Sequence, residues 1–186
     1  MRVSVKMDKD RSHVRRAMRI TMGRGNLLNE EGLAQLDNET FMKLLLGMHS
    51  PLEEMEFWIE MIVPERVHTH LVRHEEIGKY VATSRNDLKH ATFLPDNSRC
   101  MALRINAKRL IEISEQRLCS ASWSETREVF TAIREQIKHI DPILFLFLTP
   151  PCDKRGHCTE VNTDCGRDNY ASFKEVANYI RTGDML

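Results

Sequence analysis

The sequence lacks any apolar run long enough to cross a membrane. Its longest uninterrupted apolar stretch is Ile143–Leu148, whereas a membrane helix needs about 20 such residues. The first residues, Met1–Arg19, are rich in charge and contain no apolar core of a signal peptide. We therefore expect a cytoplasmic protein without a membrane partner.

Neither sign of charge is in excess, because 27 Lys and Arg residues balance 27 Asp and Glu residues. The overall field therefore gives no reason to expect a nucleic-acid partner, and any anion must be bound by a local basic cluster. The 186 residues suit one domain, 1–186, and the 41% hydrophobic and 29% charged residues are typical of folded proteins.

The chain also lacks the short motifs of several enzyme classes. It has no Gly-rich phosphate loop, no G-x-S-x-G and no H-E-x-x-H, which argues against P-loop enzymes, serine hydrolases and zincins. The five cysteines are odd in number, which argues against a disulfide framework. Cys152, Cys158 and Cys165 form a tail segment over 152–166. These thiols are either unreactive or a small zinc site of non-standard spacing, and we assign no metal ligand.

Two stretches alternate between apolar and polar residues, which predicts strands. The first is Val3–Met7 and the second runs from Met55 to Val63, ending at Pro64. Helical spacing predicts a helix over Glu39–Leu46 capped by Asn38, a helix after Pro64 and a helix within Asn106–Leu118. Ser122 and Glu125 form a capping box, which predicts the start of a last long helix that ends at Asp141-Pro142. The expected fold class is α+β, with a mixed sheet and long helices that dominate the second half.

The densest group of candidate binding residues follows Pro64. On a continuous helix His70, Arg73 and His74 lie at positions i, i+3 and i+4, so they would share one face. Three such donors can hold a phosphate, although a solvated basic helix face has the same pattern. The His70–His74 spacing also occurs in helical zinc pairs, but no third ligand is evident.

This region resembles the signature of the flavin-dependent thymidylate synthases, R-H-R-x-x-S-x-N-x-x-S-x-R-Y. The frame here reads Arg73-His74-Glu75, then Gly78, Tyr80, Thr83, Arg85 and Asn86. Ser50-Pro51 before it resembles the family's Ser/Thr-Pro stretch. After it, Asn106-Ala107-Lys108 and then Arg117 resemble the family's Asn-Ala-Arg and substrate-binding Arg, in the same order. The resemblance covers roughly Gly47 to Gly166.

The resemblance implies an α+β enzyme that converts dUMP to dTMP with FAD, NADPH and methylenetetrahydrofolate, as a homotetramer with active sites between subunits. The flavin would be contacted by Ser50, Arg73, His74, Glu75, Asn106 and Lys108. The nucleotide would be contacted by His70, Thr83, Ser84, Arg85 and Arg117. Arg117 is the expected catalytic residue, because a fixed guanidinium stabilises negative charge that grows on the attacked pyrimidine.

Two departures from the family pattern leave alternatives open. Glu75 stands where the family has an arginine, and Ala121 where it has a flavin-contacting histidine. The alternatives are a flavin enzyme that modifies carbon 5 of another pyrimidine deoxynucleotide, and a non-catalytic descendant that binds nucleotide. A zinc-binding interaction protein built on Cys152–Cys165 is a further one.

Overall fold

The computed structural model describes residues 1–23, 34–74, 77–82, 97–158, 160, 161 and 165. Within these ranges the strands are β1 (Arg2–Lys9), β2 (Glu56–Pro64), β3 (Gly78–Val81) and β4 (Ser98–Asn106). The helices before β4 are α1 (Arg11–Thr21), α2 (Asn38–Leu46), a 3-10 helix (Ser50–Glu54) and α3 (Glu65–Leu71). The helices after β4 are α4 (Ala107–Arg117), α5 (Ser124–Ile140), α6 (Pro142–Phe147) and α7 (Pro151–Arg155).

The strands form one sheet in the order β1-β2-β4-β3, and every described neighbour pair is antiparallel. The expectation of a mixed sheet was therefore wrong for the described strands. A period of two decides which side chains of a strand are buried, but it carries no information about the direction of the neighbouring strand. The expectations of an α+β chain and of helices dominating the second half are confirmed in the described residues.

The buried face of the sheet is built by alternate residues of its central strands. Phe57, Ile59, Met61 and Val63 of β2 lie opposite Ile105, Leu103, Met101 and Arg99 of β4 in register. The apolar members of this set are almost fully buried and pack with the apolar sides of the helices in one core cluster. This packing fixes the positions of the helices relative to the sheet.

The edge strand β1 is closed by a side chain of α5. Gln136 Oε1 accepts from the backbone N of Val5 at 2.7 Å, and Gln136 Nε2 donates to the carbonyl of Val3 at 2.6 Å. These two bonds satisfy backbone groups that an uncovered edge would leave available to another strand. They also fix α5 across the sheet, so the beginning of α5 has a defined position near α3.

Three predicted helix starts or extents differ from the structure. Asp37, rather than Asn38, caps α2 by accepting from Thr40 N. The Ser122–Glu125 capping box is absent, because Trp123 is the N-cap of α5 and makes no side-chain capping bond. The helix after Pro64 ends at Leu71, so Arg73 and His74 lie beyond it rather than on its face. The structure also shows a cap that was not predicted, because the side chain of Asn106 accepts from Arg109 N at the start of α4. No described helix is both long and apolar enough to span a membrane.

Candidate functional site

The turn after α3 is held closed by a lysine of β3. Lys79 Nζ donates to the carbonyls of Val72 at 3.0 Å and His74 at 2.5 Å. An ammonium group in this position satisfies carbonyls at the end of a helix and is favoured by the negative end of the helix dipole. The backbone of His74 is thereby fixed, and its imidazole points into the protein with only 9% of the residue exposed.

Arg117, the last residue of α4, reaches this imidazole. Its Nε and one terminal nitrogen lie 3.1 Å and 2.9 Å from His74 Nε2. A guanidinium can only donate, so His74 Nε2 must accept, and the proton of the neutral ring is on Nδ1. The Arg117 contact thus selects the tautomer of His74, and it leaves an N–H at Nδ1 as a donor.

The surroundings of this pair are strongly cationic. The pKa of His74 is lowered from 6.5 to about 4, first by burial and then by the charges of Arg117, Arg109, Lys79 and His70 in that order. Burial also lowers the pKa of Arg117. Within the described part of the chain neither Arg117 nor Lys79 forms an ion pair with a carboxylate. The site therefore has positive charge that an anion would compensate.

His70 joins α3 to the beginning of α5. Its Nδ1 lies 3.2 Å from the hydroxyl of Thr126, a fully buried residue, and its ring centroid lies 4.5 Å from that of Trp123. Trp123 is 53% exposed, so part of the indole is accessible to a ligand beside the basic cluster of His70, His74 and Arg117. An exposed aromatic ring next to cationic donors can stack with a planar ligand.

The other end of α4 is polar but balanced in charge. Lys108 pairs with Glu53 of the 3-10 helix at 3.0 Å, and Arg109 pairs with Glu112 at 2.9 Å. Together with Asn106 these side chains line a concavity of about 350 Å³. Arg109 Nε is buried without a hydrogen-bond partner among the described residues, so the concavity contains a residue with an unused donor.

The structure brings only part of the predicted site together. His70, His74 and Arg117 form the basic cluster just described, and Asn106 and Lys108 lie at the opposite end of α4. Arg73 is exposed in the turn after α3. Ser50 is exposed at the start of the 3-10 helix whose Glu53 contacts Lys108. Four predicted contact residues lie outside the described residues: Glu75, Thr83, Ser84 and Arg85.

Sequence reasoning missed Lys79, Arg109 and Thr126. Lys79 occupies a variable position of the signature, and its role depends on a backbone turn that no motif encodes. Arg109 directly follows the Asn-Ala-Lys motif, so a second basic residue there was a usable signal. Thr126 contributes a buried hydroxyl from α5, and only the packing of α5 on α3 makes it a partner of His70.

No protein-family model matches the sequence, and no curated protein matches it either. Among solved structures, the chain is similar to the crystal structure of the UMP/dUMP methylase PolB from Streptomyces cacaoi bound with 5-Br dUMP. The TM-score is 0.59 at 11% sequence identity, and the match covers 81% of this chain and 98% of that chain. The two proteins share a fold. In this chain that fold combines helices with a four-stranded antiparallel sheet.

Proposed function

We propose that the chain is an enzyme that binds a uracil nucleotide, dUMP in the first place, and methylates it reductively at carbon 5 to give dTMP. Methylenetetrahydrofolate would donate the carbon, and NADPH would reduce a bound FAD. The proposal joins the ordered motifs from Ser50 to Arg117 with the shared fold of a UMP/dUMP methylase. Because that methylase is named for both nucleotides, UMP is the second substrate to be tested.

The observation that carries the proposal is the Arg117–His74 pair. Arg117 is partly buried, contacts a neutral imidazole instead of a carboxylate, and lies near Lys79 and Arg109. An anionic nucleotide would supply the missing negative charge. When the pyrimidine ring is attacked, negative charge develops on one of its oxygens. A guanidinium that is already held in position stabilises this charge, because the side chain does not have to move during the reaction.

The residues beside the pair suit a pyrimidine. Trp123 offers an exposed indole surface supported by His70, and neutral His74 offers an N–H donor at Nδ1. A planar ring with carbonyl oxygens can use both kinds of contact. His74 stays neutral above a pH of about 4, so this donor is available throughout the physiological range.

The balanced end of α4 fits the polar edge of a flavin ring better than a diphosphate. Its two cations are matched by Glu53 and Glu112, which leaves no excess charge for a phosphate group. Asn106, Lys108 and Arg109 line the concavity at this end and would hold the ring. When bound in reduced form, flavin supplies the hydride in this chemistry.

The decisive experiment is tritium release from dUMP labelled at carbon 5, with FAD, NADPH and methylenetetrahydrofolate present. Release that depends on all three additions supports the proposal, and Arg117→Ala should abolish most of it. Nucleotide binding without release would favour the non-catalytic alternative. If the purified protein binds no nucleotide and shows no visible flavin absorption even after FAD is added, the proposal is contradicted.

The family resemblance also implies a homotetramer whose active sites lie between subunits. Light scattering of the purified chain tests this part separately. A monomer that binds nucleotide with full affinity would show that one chain completes the nucleotide site.

A further inference from the structure

Four of the five cysteines line one pocket, although the sequence places only three of them in the tail segment. The pocket has a volume of about 230 Å³, and its thiols are those of Cys119, Cys152, Cys158 and Cys165. The structure contains no disulfide among the five cysteines, all of which lie in the described residues, and Cys100 lies apart on β4. His157, which lies between Cys152 and Cys158 in the chain, is exposed and contacts the carbonyl of Arg155.

The pocket thiols come from two kinds of segment. Cys119 and Cys152 are buried, in the α4–α5 connection and in α7, and we call them the core thiols. Cys158 is half-buried and Cys165 is exposed, and we call them the tail thiols. Core and tail are in contact here, since Cys119 Sγ lies 3.8 Å from Glu160 Oε1.

The core side of the pocket is held rigidly. Arg127 of α5 donates to the carbonyls of Ser120 and Ser122 at 3.0 Å and 3.2 Å, which fixes the connection that carries Cys119. The tail side bends at Gly156, whose φ of 75° ends α7 in the left-handed region and redirects the chain before Cys158. Both tail thiols lie outside the regular secondary structure of the described residues.

The arrangement favours thiol oxidation over metal binding. No group of three or more His, Cys, Asp or Glu side chains among the described residues is arranged to hold a metal ion. A disulfide requires only one pair of thiols within reach, and an accessible thiol next to a resolving cysteine is common in redox-sensitive sites.

We propose that this pocket is an oxidation site at which a core thiol and a tail thiol form a disulfide that ties the tail to the body of the protein. The oxidant is a low-molecular-weight disulfide. The accessible tail thiolate attacks one of its sulfur atoms, forms a mixed disulfide and releases one small thiol. A core thiolate then attacks the tail sulfur and releases the second small thiol. Two protein thiols are oxidised, and one small disulfide is reduced to two thiols.

The test uses the full chain carrying Cys100→Ser, so that no exposed cysteine outside the pocket takes part. The reduced protein is incubated with oxidised glutathione, its remaining thiols are alkylated, and peptide mass spectrometry maps the bonds. We expect one intramolecular disulfide between Cys119 or Cys152 and Cys158 or Cys165. The oxidised chain should melt about 5 °C higher, and the shift should disappear on adding a reductant.

The matched control adds Cys119→Ser and Cys152→Ser to the same chain. Without core thiols, the tail should stop at the mixed disulfide with glutathione. The proposal is overturned if the parent chain also stops there, if a bond joins two tail thiols or two chains, or if no pocket thiol reacts. It is equally overturned if the purified chain retains one zinc ion and its pocket thiols react only after zinc is removed. Mapping in the parent chain decides the question even if the control variant fails to fold.

Discussion

The two ends of α4 contain similar residues but differ in their electrostatics. At the N-terminal end, Lys108 and Arg109 are each paired with a glutamate. At the C-terminal end, Arg117 contacts the neutral ring of His74, and no described carboxylate pairs with it. We therefore expect an anion to bind near Arg117, whose partner His74 is uncharged, rather than near Lys108 and Arg109, whose charges are balanced by glutamates.

The difference also separates two kinds of ligand. The C-terminal end has positive charge in excess and an exposed indole nearby, which suits a nucleotide anion. The N-terminal end has polar donors without excess charge, which suits an uncharged polar ring. About 11 residues of helix at 1.5 Å per residue set the two ends roughly 16 Å apart, so they are two separate candidate binding surfaces.

The largest expected effect is a loss of folding stability at acidic pH. Folding lowers the pKa of His74 from 6.5 to about 4, so between these values the unfolded chain binds a proton that the folded chain does not. The free energy of unfolding should therefore fall as pH falls through this window, by up to about 3 kcal/mol. Urea unfolding at a series of pH values measures it.

His74→Gln is the control for this prediction, because glutamine retains an acceptor for Arg117 but does not titrate. The difference between the two pH profiles isolates His74 from the other histidines. Parallel profiles for both proteins would show that the C-terminal end of α4 does not suppress protonation, and the contrast between the two ends would be lost.

The next effect concerns nucleotide affinity. Arg117→Ala should weaken dUMP binding by about 1.5–3 kcal/mol, or roughly 10- to 150-fold, because a charged hydrogen-bonding partner of the anion is removed. Titration calorimetry measures it. Lys108→Ala is the matched control at the other end of α4 and should change dUMP affinity less than about twofold. Equal losses in both variants would contradict the assignment of the two ends.

A smaller effect should follow from Lys79→Met. The variant loses the bonds to the carbonyls of Val72 and His74, which should lower the free energy of unfolding by about 1 kcal/mol. Removal of a nearby positive charge should also raise the pKa of His74, which NMR of the ring can follow. Lys79→Arg keeps the charge and should leave that pKa low. An unchanged His74 titration in the methionine variant would exclude this influence of Lys79.

The smallest effect should come from the Lys108–Glu53 pair. Both side chains are partly exposed, with 28% and 51% accessible, so solvent screens their attraction. Glu53→Gln should change the free energy of unfolding by less than about 1 kcal/mol. It leaves Lys108 without its partner, however, and should give the N-terminal end an excess positive charge. A gain in dUMP affinity there would show that charge balance is what distinguishes the two ends.

Much of the fold could be predicted from residue patterns. The alternation in β2, the opening strand, the helix within Asn106–Leu118 and the stop at Asp141-Pro142 are all found in the structure. These features depend on neighbours within a few residues, which is why local patterns reveal them. The start of α5 at Ser124 and the end of α3 at Leu71 were misjudged, since Trp123 is the N-cap of α5 and Lys79 of β3 bonds the carbonyls of Val72 and His74 beyond α3.

The sequence indicated which residues belong to the candidate site, but it did not indicate how they contact one another. Helical spacing and motif order pointed to His70, His74, Asn106, Lys108 and Arg117, which lie at the ends of α3 and α4 or beside them, and also to Ser50 and Arg73, which are exposed. The sequence could not show that His74 turns inward to accept from Arg117, that Lys79 closes the turn, or that Cys119 joins the tail thiols. Each of these contacts joins segments far apart in the chain, and their geometry is decided by how the helices pack on the sheet.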